Sequence, residues 1–248
     1  MHRFYLPPER CAGNVLRLDG REAHHALHVL RLKRSECVTV LDGAGKEFVC
    51  EVESAAKNFL ALTVKETKST PPLPCSLTLL QAVPKGKIIE SIIQKSVELG
   101  AARIVPILSD RVVTQLDGDG AEAKRDKWQQ VAIEAIKQCG ATWLPRVEAP
   151  MTIGQFLARQ EKFDVSLVGS LQTERRHPGE VLREVERKHG RAPNSAAIWI
   201  GPEGDFTLAE LQAVEAAGAQ PITLGHLTLR VETAAIYCLS FLNYELYR

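Results

Sequence analysis

The sequence predicts an α/β protein in two parts, a small β-rich domain over residues 1–70 and a parallel sheet flanked by helices over residues 71–248. Short apolar runs punctuated by turn residues fill the first part. From Ser76 onward, strand-length apolar runs alternate with helical patterns, the order of a parallel α/β sheet. Between the two, Thr67–Pro74 is rich in proline and hydroxyl residues and has no periodicity, so it reads as an extended linker.

In the first part, Val15–Leu18 and Cys37–Leu41 are expected strands. Glu47–Val52 with Phe59–Val64 completes a meander after the turn Asp42-Gly43-Ala44-Gly45. Arg21–Leu30 reads as a short helix, followed by the densest basic cluster of the domain, Arg31-Leu32-Lys33-Arg34. With His24, His25 and His28 these residues make a largely cationic surface suited to phosphate. Composition alone favours a duller reading, a solvated face with one packed histidine. The histidine spacing comes with no matching carboxylates, so no metal site is expected.

In the second part, Leu77–Ala82 and Ile104–Leu108 are buried strands on either side of a helix, Ile88–Leu99, whose Ile89, Ile92, Ile93 and Val97 face inward. Pro84-Lys85-Gly86-Lys87 lacks the spacing of a phosphate loop; its lysines either meet a partner or are solvated. Residues 109–124, centred on Asp117-Gly118-Asp119-Gly120, read as a polar surface loop, since the downstream ligands of a calcium loop are missing. Arg125–Gln138 is a helix burying Trp128, Val131, Ala132, Ala135 and Ile136, and Cys139 after it reads as small apolar packing. Thr152–Arg159 is a helix capped by Thr152 with Gln155. Phe163–Val168 is a strand ending at Gly169-Ser170-Leu171, and Gly179–His189 is an exposed, charged helix. Arg175, Arg176 and His177 before it either meet phosphate or lie in water.

The last fifty residues organise the rest. Ile198-Trp199-Ile200 is a buried strand stopped by Gly201-Pro202. Thr207 with Glu210 forms a capping box, Leu208, Leu211 and Val214 share one helix face, and Gly218 closes that helix. Pro221-Ile222 starts a further strand, and the segment from Leu224 to Arg230 leads into the closing helix Glu232–Tyr247. That helix has one apolar stripe of Ala235, Leu239, Leu242 and Leu246 and a second of Tyr237, Phe241 and Tyr244. A helix apolar on two sides requires two partners: the sheet, and either its own chain or the same helix of a second subunit. Two glycine-bearing loops after successive strands hold Glu203, Asp205, Arg230 and Glu232 beside apolar residues. Such loops let main chain approach a ligand while keeping polar groups ready. The loop 169–171 flanks them by position.

Ile-Gly-Pro-Glu-Gly at 200–204, followed from Leu224 by Leu-Gly-x-x-x-Leu-Arg-x-Glu-Thr-Ala, resembles the SPOUT methyltransferases. Within them it resembles the RsmE family, which N3-methylates a uridine of 16S ribosomal RNA. Further matching pieces are His25, Val29-Leu30-Arg31, Gln94 through Gly100, Glu134-Ala135 and Gln138-Cys139-Gly140, so the likeness spans nearly the whole chain. Asp205 departs from the pattern, for the family usually has a second glycine there.

The resemblance implies a SPOUT-type parallel sheet with a C-terminal trefoil knot, the chain after Leu224 being threaded through an earlier loop, and a PUA-like β-barrel RNA-binding domain before it. It implies S-adenosylmethionine held by Leu171, Ile200, Gly201, Pro202, Glu203, Gly204, Leu224, Gly225, Leu227, Leu229 and Thr233. RNA contacts are expected from His25, Arg31, Lys33, Arg34, Lys85 and Lys87. Arg230 is the candidate for stabilising charge on the uracil imide. Glu203 and Glu232 are candidates for taking the proton or orienting Arg230, and each also has a structural reading as a cap or ion-pair partner. The implied partners are 16S ribosomal RNA in the small ribosomal subunit and a second copy of the chain, paired through the C-terminal helix. Methylation of another base or site within the superfamily is the alternative.

Composition sets limits on these readings. Apolar content of 45%, charge of 25% and a net charge of +1 are ordinary for a soluble globular protein and do not announce a nucleic-acid binder. Any RNA footprint is then a local patch, or one assembled across two subunits. The six cysteines form no C-x-x-C pair, which leaves zinc and redox motifs unsupported and suits a reducing, cytoplasmic setting. No run approaches a membrane span. No G-x-G-x-x-G follows a strand, which argues against a dinucleotide-dependent oxidoreductase. The residues alone leave open an RNA-binding module with an inactive pocket.

Overall fold

The structure is a computed structural model that describes residues 1–111, 118–171 and 174–247. The chain divides into two compact units, Met1–Pro72 with Ile133–Leu144, and Leu73–Ala132 with Pro145–Arg248.

The first unit holds a five-stranded sheet of β1 (His2–Tyr5), β2 (Val15–Asp19), β3 (Cys37–Leu41), β4 (Lys46–Ala56) and β5 (Phe59–Ser69), in the order β1-β3-β4-β5-β2. All its pairs are antiparallel except β1 with β3. Four-residue β1 is too short to announce itself by alternation, yet Phe4 is fully buried in a core with Leu16, Leu18, Val38, Val40, Leu60 and Leu62. Strand β5 runs on to Ser69, which pairs with Lys46, so Thr67–Ser69 belong to the sheet and not to the linker. Ladder pairing and β-branched threonine outweigh the polar composition there. Between β2 and β3 a helical segment, α1 (Gly20–His24), widens into a π-type turn over His25–Val29. Residues 133–144 close the unit. Arg3 donates to the carbonyls of Lys137 and Gln138, buried Lys137 pairs with Glu22 at 2.9 Å, and Trp143 Nε1 donates to the Thr70 carbonyl at 3.0 Å.

The second unit is a parallel sheet of β6 (Ser76–Ala82), β7 (Arg103–Leu108), β8 (Arg146–Val147), β9 (Met151–Thr152), β10 (Val165–Gly169), β11 (Ser195–Ile200) and β12 (Gln220–Ile222). The order is β12-β10-β11-β6-β7-β8, with β9 also on β7. The two-residue strands β8 and β9 carry no period a sequence could display. Helices α4 (Ile153–Leu157) and α6 (Leu208–Ala216) cover a core of Leu80, Val105, Phe156, Trp199, Leu211 and Val214. Helix α2 (Ile88–Glu98) packs on α7 (Val231–Leu246), which also lies against β6 and β11. The far end of α7 is pinned by Asn243 Nδ2 on the Leu99 carbonyl and by the Tyr247 hydroxyl on the carbonyls of Cys75 and Gly100. The charged helix α5 (Pro178–His189) follows β10.

Three expectations need correction. Helix α3 (Gly118–Cys139) starts seven residues before the predicted Arg125. Asp117 lies outside the described residues, but Ala121-Glu122-Ala123-Lys124 are strong helix formers that override the Asp-Gly turn signal. They are reinforced by the Glu122–Arg125 pair and by Lys124 over the Trp128 ring. Leu208 is 63% exposed, because the capping box sets the first turn of α6 so that only Leu211 and Val214 reach the core. Cys139 is exposed at the end of α3 and is not part of the core. Among the described residues no helix is long and apolar enough to cross a membrane.

An ion-pair network closes one edge of this unit. Arg103 bonds both oxygens of Glu161, at 2.5 and 2.9 Å, and reaches buried Glu148, which also takes Arg159. The hydrogen bond from Arg103 holds the Glu161 carboxyl below its ordinary 4.5. A depressed folded-state value contributes stability that is present above pH 4.5 and is lost as the pH falls through the folded value. Glu161→Gln should cost about 1 kcal/mol at neutral pH. It should also show a smaller further loss on acidification below pH 4.5 than the parent, measured by denaturant melts across the acid range.

Candidate functional site

Strand order builds the site. Because β10 lies between β12 and β11, the loops leaving the carboxyl ends of these three strands are neighbours, and ligands of parallel α/β sheets sit at such ends. The side chains of Leu224 and Ile200 both approach Gly169, 3.2 and 3.5 Å from where a Cβ would stand, so the three loops meet at one point. Above that point is a cavity of about 410 Å³, within the range of small-molecule sites.

The cavity brings together Leu171, Ile200, Gly201, Pro202, Glu203, Leu224, Gly225, Leu227 and Leu229 with Arg230 and Glu232, all singled out from sequence. Gly204 and Thr233 do not line it. The turn closed by the Asp205 N–H on the Pro202 carbonyl (2.9 Å) points Gly204 away, and its carbonyl accepts from Arg111. Thr233 is exposed, since on α7 the inward positions are Val231, Ala234 and Ala235. Sequence reasoning did not assign Ile88, Val231 or Ala234 to the wall. Ile88 was placed at the start of α2, but its position off the buried stripe of Ile89, Ile92 and Ile93 was the available signal.

The walls are apolar and uncovered. Leu227 is 79% exposed, Leu171 54% and Ile88 37%, and all three face this cavity. Gly225 has φ +105°, and a Cβ there would meet nothing within 4 Å, so the main chain borders open space. Among the described residues, no group accepts from the backbone N–H of Leu224, Leu227 or Leu229. Exposed apolar walls with unspent main-chain donors suit a flat, partly apolar ligand read by backbone groups.

Arg230 sits at the N-cap of α7, where its side chain makes no capping bond. A cation at a helix N-terminus is disfavoured by the macrodipole, so the helix itself gains nothing from this residue. Glu232, in the first turn, is favourable to the dipole. Glu203 Oε1 accepts the Lys85 N–H at 3.0 Å, so this carboxylate braces the loop after β6. Lys85 and Lys87 are exposed beside it.

Side chains tie the 201–207 loop to its neighbours. Asp205 accepts from Phe206 N and Leu171 N. Glu210, 8% exposed, accepts from Thr207 N (2.8 Å) in the predicted capping box and from Asp110 N (2.8 Å) after β7.

In the first unit, Arg31, Lys33 and Arg34 are exposed, and Arg31 adopts a left-handed φ of 55° that ends the helical segment. His25 is half-buried with its ring edge-on to Phe4 at 6.1 Å, while His24 and His28 lie ring to ring on the surface.

Comparison with known proteins follows this division. A family model described as an RNA methyltransferase domain matches residues 71–243, and one described as an RNA methyltransferase PUA domain matches residues 18–65. The chain is 31% identical to the ribosomal RNA small subunit methyltransferase E of Bacillus subtilis, over 92% of this chain and 89% of that one. A Legionella pneumophila protein solved in complex with the cofactor SAM is 30% identical, with a TM-score of 0.88 over 98% of this chain and 97% of that one. A ribosomal RNA small subunit methyltransferase E from Neisseria gonorrhoeae bound to S-adenosyl methionine is 28% identical, with a TM-score of 0.85 over 99% and 98%.

The bonds made by Glu210 predict their own loss. Glu210→Ala removes the reciprocal half of the α6 capping box, the acceptor for Thr207 N, and leaves the Asp110 N–H without its acceptor. It should cost about 2 kcal/mol, read as a lowered thermal midpoint, with Glu210→Gln intermediate.

Proposed function

The chain belongs to the ribosomal RNA small subunit methyltransferase E family, and from that premise we propose that it transfers a methyl group from S-adenosylmethionine to N3 of a uridine in 16S ribosomal RNA of the small subunit. The observation that carries this reading is the cavity at the ends of β10, β11 and β12, with exposed Leu171 and Leu227 as walls and Arg230 at its edge. The donor bound there supplies a methyl group on a sulfonium centre. Leu171, Leu227 and Leu229 cover its apolar parts, and the N–H groups of Leu224, Leu227 and Leu229 are free to read its polar edge. Gly225 lets the main chain approach.

Neutral N3 of uracil has no lone pair free to attack, so the site must favour the imide anion. Arg230 stabilises that charge in a region the apolar walls shield from water. Glu232 lies two residues on, at the same cavity, and takes the proton or orients Arg230. Glu203 works through Lys85, holding the Lys85–Lys87 loop where its ammonium groups meet RNA phosphate. Within the PUA-like domain, exposed Arg31, Lys33 and Arg34, with His25 before them in the chain, meet RNA phosphate in the same way. The segment after Leu224 threads through an earlier loop as a trefoil knot. Consistent with this, the chain at Arg176 bonds alongside β12, to Pro221 and Thr223. The protein acts in the cytoplasm as a dimer joined through the second stripe of α7, where Tyr237 is 49% and Tyr244 73% exposed.

Small subunits lacking the modification, incubated with donor and enzyme and mapped by mass, should gain one methyl group on uridine N3; a methyl on another base would move the chain to a different specificity in the superfamily. Crystals soaked with the donor should place it in this cavity with the chain threaded as described, and a donor lodged elsewhere would overturn the assignment. Arg230→Ala should lower turnover about 100-fold or more while donor affinity stays within about threefold; full turnover would remove Arg230 from the chemistry. Tyr237→Glu with Tyr244→Glu should halve the mass measured by sedimentation.

A further inference from the structure

We propose that Asp205 is a positioning residue, a latch that fixes the Gly169–Leu171 wall to the loop after β11 and so sets the width of the donor pocket; this rests on the donor-binding reading above. The carboxylate divides its oxygens between its own loop, after β11, and the loop after β10. Oδ1 accepts from Phe206 N at 2.8 Å, and Oδ2 reaches across to Leu171 N at 3.3 Å. It joins the core to the cavity wall: Phe206 is buried in the core, and Leu171 is one of the exposed apolar walls.

The backbone makes the same point. Asp205 has φ +61°, the left-handed region that glycine occupies freely and other residues at a cost. An aspartate in that position gives the loop a side chain where the main chain alone would favour none. Nor does it fill the core, being half-buried at the cavity lining. Residue 201 is matched to it: a Cβ there would stand 3.0 Å from Asp205 Oδ1, so glycine at 201 leaves the carboxylate its room.

Because both oxygens are engaged by main-chain N–H groups, the latch acts through shape. It also needs two acceptors. Asparagine has one carbonyl oxygen and would turn an NH₂ group toward one of the two N–H donors. Asp205→Asn therefore keeps at most one of the bonds, and Asp205→Gly removes both while relieving the left-handed strain, so the glycine variant folds.

The test combines hydrogen exchange at the Leu171 amide with calorimetric titration of S-adenosylmethionine and of its neutral product, S-adenosylhomocysteine, on the full chain. In Asp205→Gly, the Leu171 amide should exchange at least about tenfold faster, and both ligands should bind about tenfold more weakly. The rise in KM for the donor should exceed any fall in kcat, and the thermal midpoint should not fall. Asp205→Asn should speed exchange at whichever of the Leu171 and Phe206 amides its NH₂ group faces. Unchanged affinity in Asp205→Gly would overturn the latch, and so would weakening confined to the cationic donor, which would assign a charge role instead. If the parent chain bound neither ligand, the donor-site reading would fail while exchange at Leu171 would still report on the latch.

Discussion

The site depends on how the seven residues between β11 and α6 are held. They belong to no strand or helix, and they run beside a cavity. What fixes them is acceptor chemistry: Glu203 takes an N–H from the loop after β6, Asp205 one from the loop after β10, and Glu210 one from the loop after β7, with Arg111 returning a donor to Gly204. Each acid meets main-chain N–H groups, so the carboxylates substitute for the ladder the segment lacks. Glu210 is buried and meets Thr207, Ser109 and Asp110, the condition under which a buried carboxylate stabilises.

Topology supplies the other half. Three adjacent parallel strands end on one side, and their loops share a contact at Gly169, Leu224 and Ile200. Helix α7 then begins at the cavity, with an arginine at a position where a helix prefers a small oxygen-bearing side chain. Local preference and tertiary placement disagree at Arg230 and agree at Glu232, and such disagreements concentrate at working sites.

Short-range grammar was the most legible part of the sequence. The capping boxes Thr152–Gln155 and Thr207–Glu210 are both formed, because each is decided within four residues. Strand β3 has the bounds its short apolar run and flanking turn residues indicate. The crevice loops were readable because apolar strand, glycine and charge follow one another along the chain. Features decided between distant segments were not readable. Nothing near Asp110 says that Glu210 will meet it, and nothing in Thr67–Ser69 reveals the partner strand that pulls it from linker into sheet. Strands β1, β8 and β9 are too short for any period. Gly204 and Thr233 belong to a recognisable run of residues, but a tight turn and a helical phase carry them off the cavity wall.

The exposed Leu227 has a consequence for the protein's lifetime. A leucine with 79% of its surface in water, whose own amide has no acceptor among the described residues, is a piece of hydrophobic core left incomplete by the chain itself. Whatever small molecule covers it joins the folded state and not the unfolded one, adding a term that grows with the logarithm of its concentration. The resistance of this tail to heat and to proteases is thus shared between the polypeptide and its surroundings, and the same chain is more durable in a well-supplied cell than in a starved one.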